Sequence, residues 1–214
     1  MTPSAAAESS PRASGRAGSL RSEYRELTRK RLLTAVREVL EETDYAAATV
    51  DEIVRRAGTS RATFYLHFRS KAEAAAELLD LVTPSDRGLY TTLPRAVRSR
   101  AGLRRWLDDS LHWYEAHARL LAALNEATAV EGSVVQRRMA SVERLVELLS
   151  GYLNRCEDPS RARVRLRLLL LQFHQVAMDT VVQKCWLPDR ELLLDEMTAT
   201  WWAALGEDGS SPRA

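Results

Sequence analysis

From residue 24 onward the apolar positions recur with the period of an α-helix. Leu32, Leu33, Val36, Val39 and Leu40 fall at the i, i+1, i+4, i+7, i+8 spacing of one buried face, and the stretch from Glu41 to Tyr45 ends that element. Thr49-Val50-Asp51-Glu52 fits a capping box, with Thr49 as N-cap and Glu52 three residues on, and Val50, Ile53, Val54 and Ala57 form the stripe behind it. Gly58 stops this second helix, because glycine takes the left-handed conformation a helix end needs. Ser60 opens a third, short helix through His67, and Ser70-Lys71-Ala72-Glu73 opens a fourth that Pro84 ends or kinks. Further helices are predicted near 86 to 100, 102 to 117, 119 to 130, 132 to 155, 160 to 186 and 190 to 205. Asp158 as N-cap and Pro159 at the first helical position mark the start near 160. Period-2 strand patterns, internal repeats and Gly-rich phosphate loops are absent, so the fold class is all-α.

Composition acts mainly by exclusion. The 214 residues are 45% hydrophobic, enough for a real core, and carry a formal charge of only +2, so any basic footprint is local. Cys156 and Cys185 are too few for a disulfide framework and lack the close spacing of a zinc site, which reads as a reducing compartment. Apolar runs such as Leu168 to Leu171 fall far short of the roughly 20 residues that span a bilayer. The N-terminus has no apolar signal-peptide core, so the expected location is cytoplasmic, with no membrane partner. The expected organisation is a disordered basic arm over 1–22, a three-helix domain over 23–70 with a helix-turn-helix motif at 49–68, a larger helical bundle over 71–206, and a polar tail over 207–214.

The third helix carries the chemistry. At 100° per residue Phe64 and Phe68 share the core face, while Ala62 and Leu66 point the opposite way, flanked by Arg61 and Tyr65 on one side and Thr63 and His67 on the other. An outward Leu among hydrogen-bonding groups suits a DNA groove, where apolar atoms meet thymine methyls and Arg or Thr reaches base edges or phosphates. Residues 55 to 71 hold Arg55, Arg56, Arg61, Arg69 and Lys71 with no Asp or Glu, a local +5 that suits phosphates.

The stretch TVDEIVRRAGTSRATFYLHFRSK, Thr49 to Lys71, closely resembles the DNA-binding motif of TetR-family transcriptional regulators. The resemblance lies in the Thr opening the second helix, the A-G-x-S turn, T-F-Y in the recognition helix, the aromatic-x-F end and the following Lys. It implies phosphate contacts for Thr49, Tyr65 and Lys71, and base or groove contacts for Thr59, Ser60, Arg61, Thr63 and His67. Leu66 departs from the pattern, standing where many members carry Tyr or Trp. The resemblance further implies a homodimer built on the last two long helices, a double-stranded DNA operator, and a small-molecule effector bound inside the C-terminal bundle. The expected function is a ligand-responsive regulator, most often a repressor in this family, released from a palindrome by its effector.

Apolar helix faces carrying an isolated polar group are the candidate pocket walls: His112 with Trp113, Asn125 beside Leu121, and Phe173 with His174 and Met178. His112 and His117 are five apart, not the i, i+4 pair that aims two imidazoles at one ion, so no metal site is expected, nor any cofactor. G-x-S-x-G, H-E-x-x-H, P-loop and C-x-x-C signatures are absent, so an enzyme is not expected. The alternative reading is an all-helical ligand-binding or adaptor protein without a DNA-regulatory role.

Overall fold

Helix α1, Arg12–Glu42, supplies the face on which the N-terminal half is built. In the computed structural model, which describes residues 12–82, 89–154 and 156–205 and the side chains from residue 21 onward, its Leu32, Val36, Val39 and Leu40 are almost fully buried. Helices α2, Val50–Arg56, and α3, Arg61–His67, close over that face with Ile53, Val54, Phe64 and Phe68. Helix α4, Lys71–Val82, adds Ala74, Ala75, Ala76 and Leu78 to the same core.

The helix starts form as the side chains dictate. Thr49, Ser60 and Ser70 accept from the backbone N–H of Glu52, Thr63 and Glu73 at 3.2, 3.1 and 3.1 Å, each satisfying a donor the helix cannot satisfy itself. The Glu52 carboxylate turns instead to Arg55 and Arg56, and that of Glu73 accepts from the Arg69 N–H at 2.6 Å. Gly58 ends α2 at φ 61, with Gly58 N–H donating to Arg55 O and Thr59 N–H to Val54 O, the paired bonds of a Schellman ending.

The C-terminal half comprises α5, Leu93–Ala96, α6, Arg100–Ala116, α7, Ala118–Val130, α8, Gly132–Leu148, α9, Ser150–Leu153, α10, Pro159–Ala177, and α11, Arg190–Leu205. Among the described residues there are α-helices, a 3-10 turn, a π segment and no strand, so the fold is all-α. A second core gathers Tyr90, Trp106, Tyr114, Phe173 and Trp201, with the Trp106 ring 5.6 Å from Trp201 and 6.0 Å from Phe173. The Tyr114 hydroxyl lies 2.9 Å from His174 Nδ1. Burial, with the Arg138 charge, pushes the His174 imidazole down to about 4, so it is neutral near pH 7.

Four expectations change. Helix α1 begins at Arg12, where an arm without structure was expected to residue 22; after Pro11 nothing in the sequence forbids a helix, and extending one already formed fixes a single residue per bond gained. Residues 1–11 of that arm, the Pro84 stop and the 207–214 tail lie outside the described residues. The helix expected over 86 to 100 is a 3-10 turn, Tyr90–Thr92, followed by the four-residue α5 with Pro94 in its first turn. The helix expected over 132 to 155 breaks at Leu149, two residues before Gly151, which weakens a helix interior. The helix expected over 160 to 186 widens after Ala177 into a π segment, Met178–Val182, where three consecutive β-branched residues crowd the turn, and the chain leaves it through Lys184 at φ 52.

The N-terminal core does not stop near residue 70. It includes α4 and takes in Leu120, Ala123, Leu124 and Ala127 of α7 and Val134 of α8. Polar ties reinforce the join. Arg119 donates to Glu41 O and Glu42 O at 2.8 and 2.9 Å, and Glu126 accepts from the N–H groups of Tyr45 and Ala46. On α4, the half-buried Asp80 carboxylate receives Arg137 at 2.5 Å and Arg144 at 2.6 Å, both from α8.

Two outcomes follow. Asp80→Ala removes the carboxylate that holds two largely exposed guanidinium groups and is expected to cost about 1 kcal/mol, read as a lower urea midpoint at unchanged m-value; an unchanged midpoint would show that the cluster adds nothing to stability. For His174, the folded value lies below the ordinary 6.5, so below that pH the unfolded chain binds the proton more readily. Stability is therefore undiminished above about pH 6.5 and falls as pH drops toward 4. The parent should lose roughly 3 kcal/mol more than His174→Asn between pH 7 and 4, and parallel pH profiles for the two would contradict the burial argument.

Candidate nucleic-acid interface

Helix α3 is held from behind and presented in front. Phe64 and Phe68 are buried, and Phe64 meets the Tyr65 ring edge-on at 5.5 Å. On the outer side Leu66 is 72% exposed and Tyr65 49%, with Arg61 and Ala62 also exposed. This is the division the helical wheel predicts. Ser60, exposed, and Thr63, half-buried, share a hydrogen bond between hydroxyls at 3.0 Å, which fixes the first turn. Thr49 is exposed at the α2 cap, and Thr59 is half-buried in the turn.

The local charge is smaller in space than along the chain. Arg55 pairs with Glu52 at 2.5 Å, Arg56 with Glu42 at 2.7 Å, and Arg61 with Asp51 at 2.7 Å. The +5 counted over residues 55 to 71 is therefore offset by three carboxylates just upstream, because one turn of α2 and the end of α1 lie beside the window. Arg69 is exposed and makes no ion pair among the described residues. Arg61 also leans over Tyr65, its guanidinium carbon 5.9 Å from the ring.

Two predicted contact residues occupy different surroundings from those a free surface side chain would have. His67 is half-buried against α1, and its Nδ1 is buried with no hydrogen-bond partner among the described residues. Burial and the charges of Arg29 and Arg25 hold its imidazole below the ordinary value. Lys71 Nζ donates to Tyr45 O at 2.6 Å and Ala48 O at 2.8 Å and lies 4.1 Å from the Tyr45 ring centroid. It closes the α1–α2 loop, with one of its three N–H donors left over.

Sequence reasoning missed the side chain that positions α3. Arg29 of α1 donates to the His67 carbonyl at 2.6 Å, forms a two-pronged pair with Glu77 of α4, and stacks 4.4 Å from the Phe68 ring centroid. An Arg at the margin of an apolar stripe was the available signal. Arg31 likewise donates to Ala57 O at 2.8 Å, holding the turn at Gly58.

The interior candidates separate. His112 lies at the surface, in an ion network with Asp108, Glu115 and Arg190, and not in the interior expected of a pocket wall. Trp113 is half-buried between the two cores, stacked on His117 at 4.4 Å. Asn125 is half-buried on α7. Phe173 and Met178 are fully buried, and His174 joins them through Tyr114. Arg138 belongs with this group: its charge acts on His174 and Tyr114, and its Nε is buried with no hydrogen-bond partner among the described residues. Neither Tyr114 nor Arg138 stood out in sequence, because contact across helices leaves no periodic trace. Among the described residues no cluster of His, Cys, Asp or Glu resembles a metal site, and no helix is long and apolar enough to cross a membrane.

Residues 32–78 match the family described as bacterial regulatory proteins, tetR family. The chain is 29% identical over 166 residues to an uncharacterised HTH-type transcriptional regulator, Rv1255c, of Mycobacterium tuberculosis, covering 65% of this chain and 82% of the relative. It is 37% identical over 93 residues to the HTH-type transcriptional activator FasR of Mycolicibacterium smegmatis, covering 41% and 42%. In fold it is similar to NalD of Pseudomonas aeruginosa, the secondary repressor of the MexAB-OprM multidrug efflux pump, at TM-score 0.59 and 21% identity over 87% of this chain and 99% of that one. A TetR-family transcriptional regulator from Mesorhizobium loti gives TM-score 0.63 at 16% identity, covering 85% and 96%. With the capped helix-turn-helix and the outward face of α3 in place, residues 32–78 are a helix-turn-helix domain of the tetR family of DNA-binding transcriptional regulators.

Proposed function

We propose that the protein works as a homodimeric, effector-responsive repressor in the cytoplasm, with residues 23–70 reading DNA and residues 71–206 forming the effector-binding and dimerisation unit. The observation that carries the DNA reading is the outer face of α3, where Arg61, Thr63 and Tyr65 surround an exposed Leu66 on a helix pinned from behind by Phe64 and Phe68. Two copies of that face, about 34 Å apart, would read the halves of a palindrome. Thr49 and Tyr65 fit phosphate contacts, and Thr59, Ser60, Arg61, Thr63 and His67 fit groove contacts. Lys71 has one donor for a phosphate beyond its structural pair.

Dimerisation has support on α10 and α11. Val164 and Leu168, one turn apart, are 60% and 62% exposed, and Leu192 is 59% exposed. Apolar side chains in register on an outer helix face are what a two-fold interface buries. The effector reading rests on the second core, which holds Phe173, Met178 and His174, and on Arg138, whose charge acts on His174 and whose Nε, buried with no hydrogen-bond partner among the described residues, is a donor with capacity for an orienting contact. An effector acts only through its different affinities for the DNA-competent and released arrangements. The ties of α4 and α7 across the two cores give such a difference a route to α3.

Three measurements test this. Arg61→Ala and Thr63→Ala should relax preference at particular base pairs, by about 5- to 150-fold wherever a paired hydrogen bond to a base edge is removed, in selection from a random DNA pool; an identical consensus for parent and variants would displace α3 as the reading helix. Val164→Glu with Leu168→Glu should convert a dimer to a monomer by sedimentation and weaken operator binding, and an unchanged sedimentation coefficient would place the interface elsewhere. Deleting the gene should raise transcription from the selected site; a fall would make the protein an activator, as FasR is named.

A further inference from the structure

The core-facing side of α1 does not end at Leu32; it changes character. At 100° per residue the direction shared by Leu32, Val36 and Leu40 runs back through Arg29, Arg25 and Arg21, spaced i, i+4, i+8. Residues 21–27 are exposed, while Thr28 and Arg29 are half-buried, so the helix projects past the elements that cover it further along. Arg29 locates this turn against the end of α3, through the His67 carbonyl and the Phe68 ring. Arg25, one turn earlier, is near enough for its charge to act on the His67 imidazole. Glu23 and Glu26 lie off the stripe, where Glu26 pairs with Lys30 at 4.0 Å. Arg21 and Arg25 make no ion pair among the described residues, in contrast to Arg55, Arg56 and Arg61.

We infer that the Arg21–Arg25 turn of α1 is a second DNA-contacting element, holding backbone phosphates that flank the base pairs faced by α3. The partner follows from charge and continuity: two guanidinium groups without an ion pair among the described residues, about 6 Å apart along the axis, continue the side of α1 that touches the end of the recognition helix. Guanidinium groups match phosphate oxygens in geometry as well as charge. Arg29 is not part of the grip, since Glu77 and the His67 carbonyl occupy its donors. The contacts carry no base information, so this turn lengthens the footprint and strengthens binding without altering which sequence is preferred.

The inference rests on α3 as the recognition helix, and its test separates the two. The full-length parent, an Arg21→Ala/Arg25→Ala pair and an Arg21→Lys/Arg25→Lys pair are titrated against a duplex recovered by selection, over a range of salt. The alanine pair should make the log–log dependence of Kd on salt shallower by about 0.9 for each phosphate no longer neutralised, with the lysine pair restoring most of the slope. Ethylation interference should disappear only at phosphates outside the α3 footprint, with an unchanged base consensus. A parental slope and ethylation pattern in the alanine pair would overturn the role of this turn while leaving α3 intact. Parent binding that is indifferent to salt would overturn the recognition-helix reading and this inference with it.

Discussion

The placement of α3 depends on one guanidinium. A seven-residue helix is too short to persist alone, so both its ends must be fixed by something other than its own hydrogen bonds. Ser60 caps the first turn, and the buried Phe64 and Phe68 fix the rotation. At the other end the His67 carbonyl has no intrahelical partner, and Arg29 satisfies it while lying on Phe68 and pairing with Glu77. One side chain thus ties α1, α3 and α4. Arg suits the position because its planar fork offers donors in two directions and a flat face for stacking.

The tie matters because α4 also packs against α8 of the C-terminal half. Asp80, less than one turn beyond Glu77, is held by Arg137 and Arg144 of α8. Glu77 and Asp80 therefore place the recognition helix and the C-terminal bundle on the same short length of α4. Helix α7 makes a parallel connection, packing Leu120, Leu124 and Ala127 into the N-terminal core while Arg119 and Glu126 hold the end of α1 and the loop after it. Packed interiors shift between discrete arrangements and do not stretch, so a displacement of α8 against α4 has to be absorbed at the ion pairs or passed on to α3. In the proposed regulator that choice decides how much of an effector's preference reaches the DNA.

How legible all this was in the sequence follows from the range of the interactions. The caps at Thr49, Ser60 and Ser70, the Gly58 turn and the two faces of α3 are encoded within a few residues, and each appears where the spacing puts it. The α8 and α10 ends were misplaced because apolar periodicity continues through Leu149 and Met178, while the turn geometry there changes for local crowding reasons. The Arg29 clamp, the Lys71 bonds to the Tyr45 and Ala48 carbonyls, and the Tyr114–His174–Arg138 group join residues 23 to 60 positions apart, and no spacing rule reaches that far. The charge of the recognition window was overstated for a different reason, the choice of where the window begins: its counter-charges, Glu42, Asp51 and Glu52, sit just outside it.

Those counter-charges bear on how the interface meets DNA. Arg61 is held by Asp51 and leans on Tyr65, so contact with a base edge or phosphate requires it to leave a partner. The pair is exposed and worth little in water, and salt screens it as salt also screens phosphate contacts. Breaking it is therefore a small obstacle, and while it lasts it keeps the guanidinium over the outer face of α3 instead of free to sample solvent. Asp51 left unpaired near a phosphate would repel it, which disfavours placements where Arg61 moves without reaching a base. The pair thus works against loose, charge-only docking, whereas Arg21, Arg25 and Arg69, with no ion pair among the described residues, carry no such condition. The fold divides its cations accordingly: those with carboxylate partners sit on the helix-turn-helix proposed to discriminate, and those without lie on the flanks, where contact with any backbone suffices.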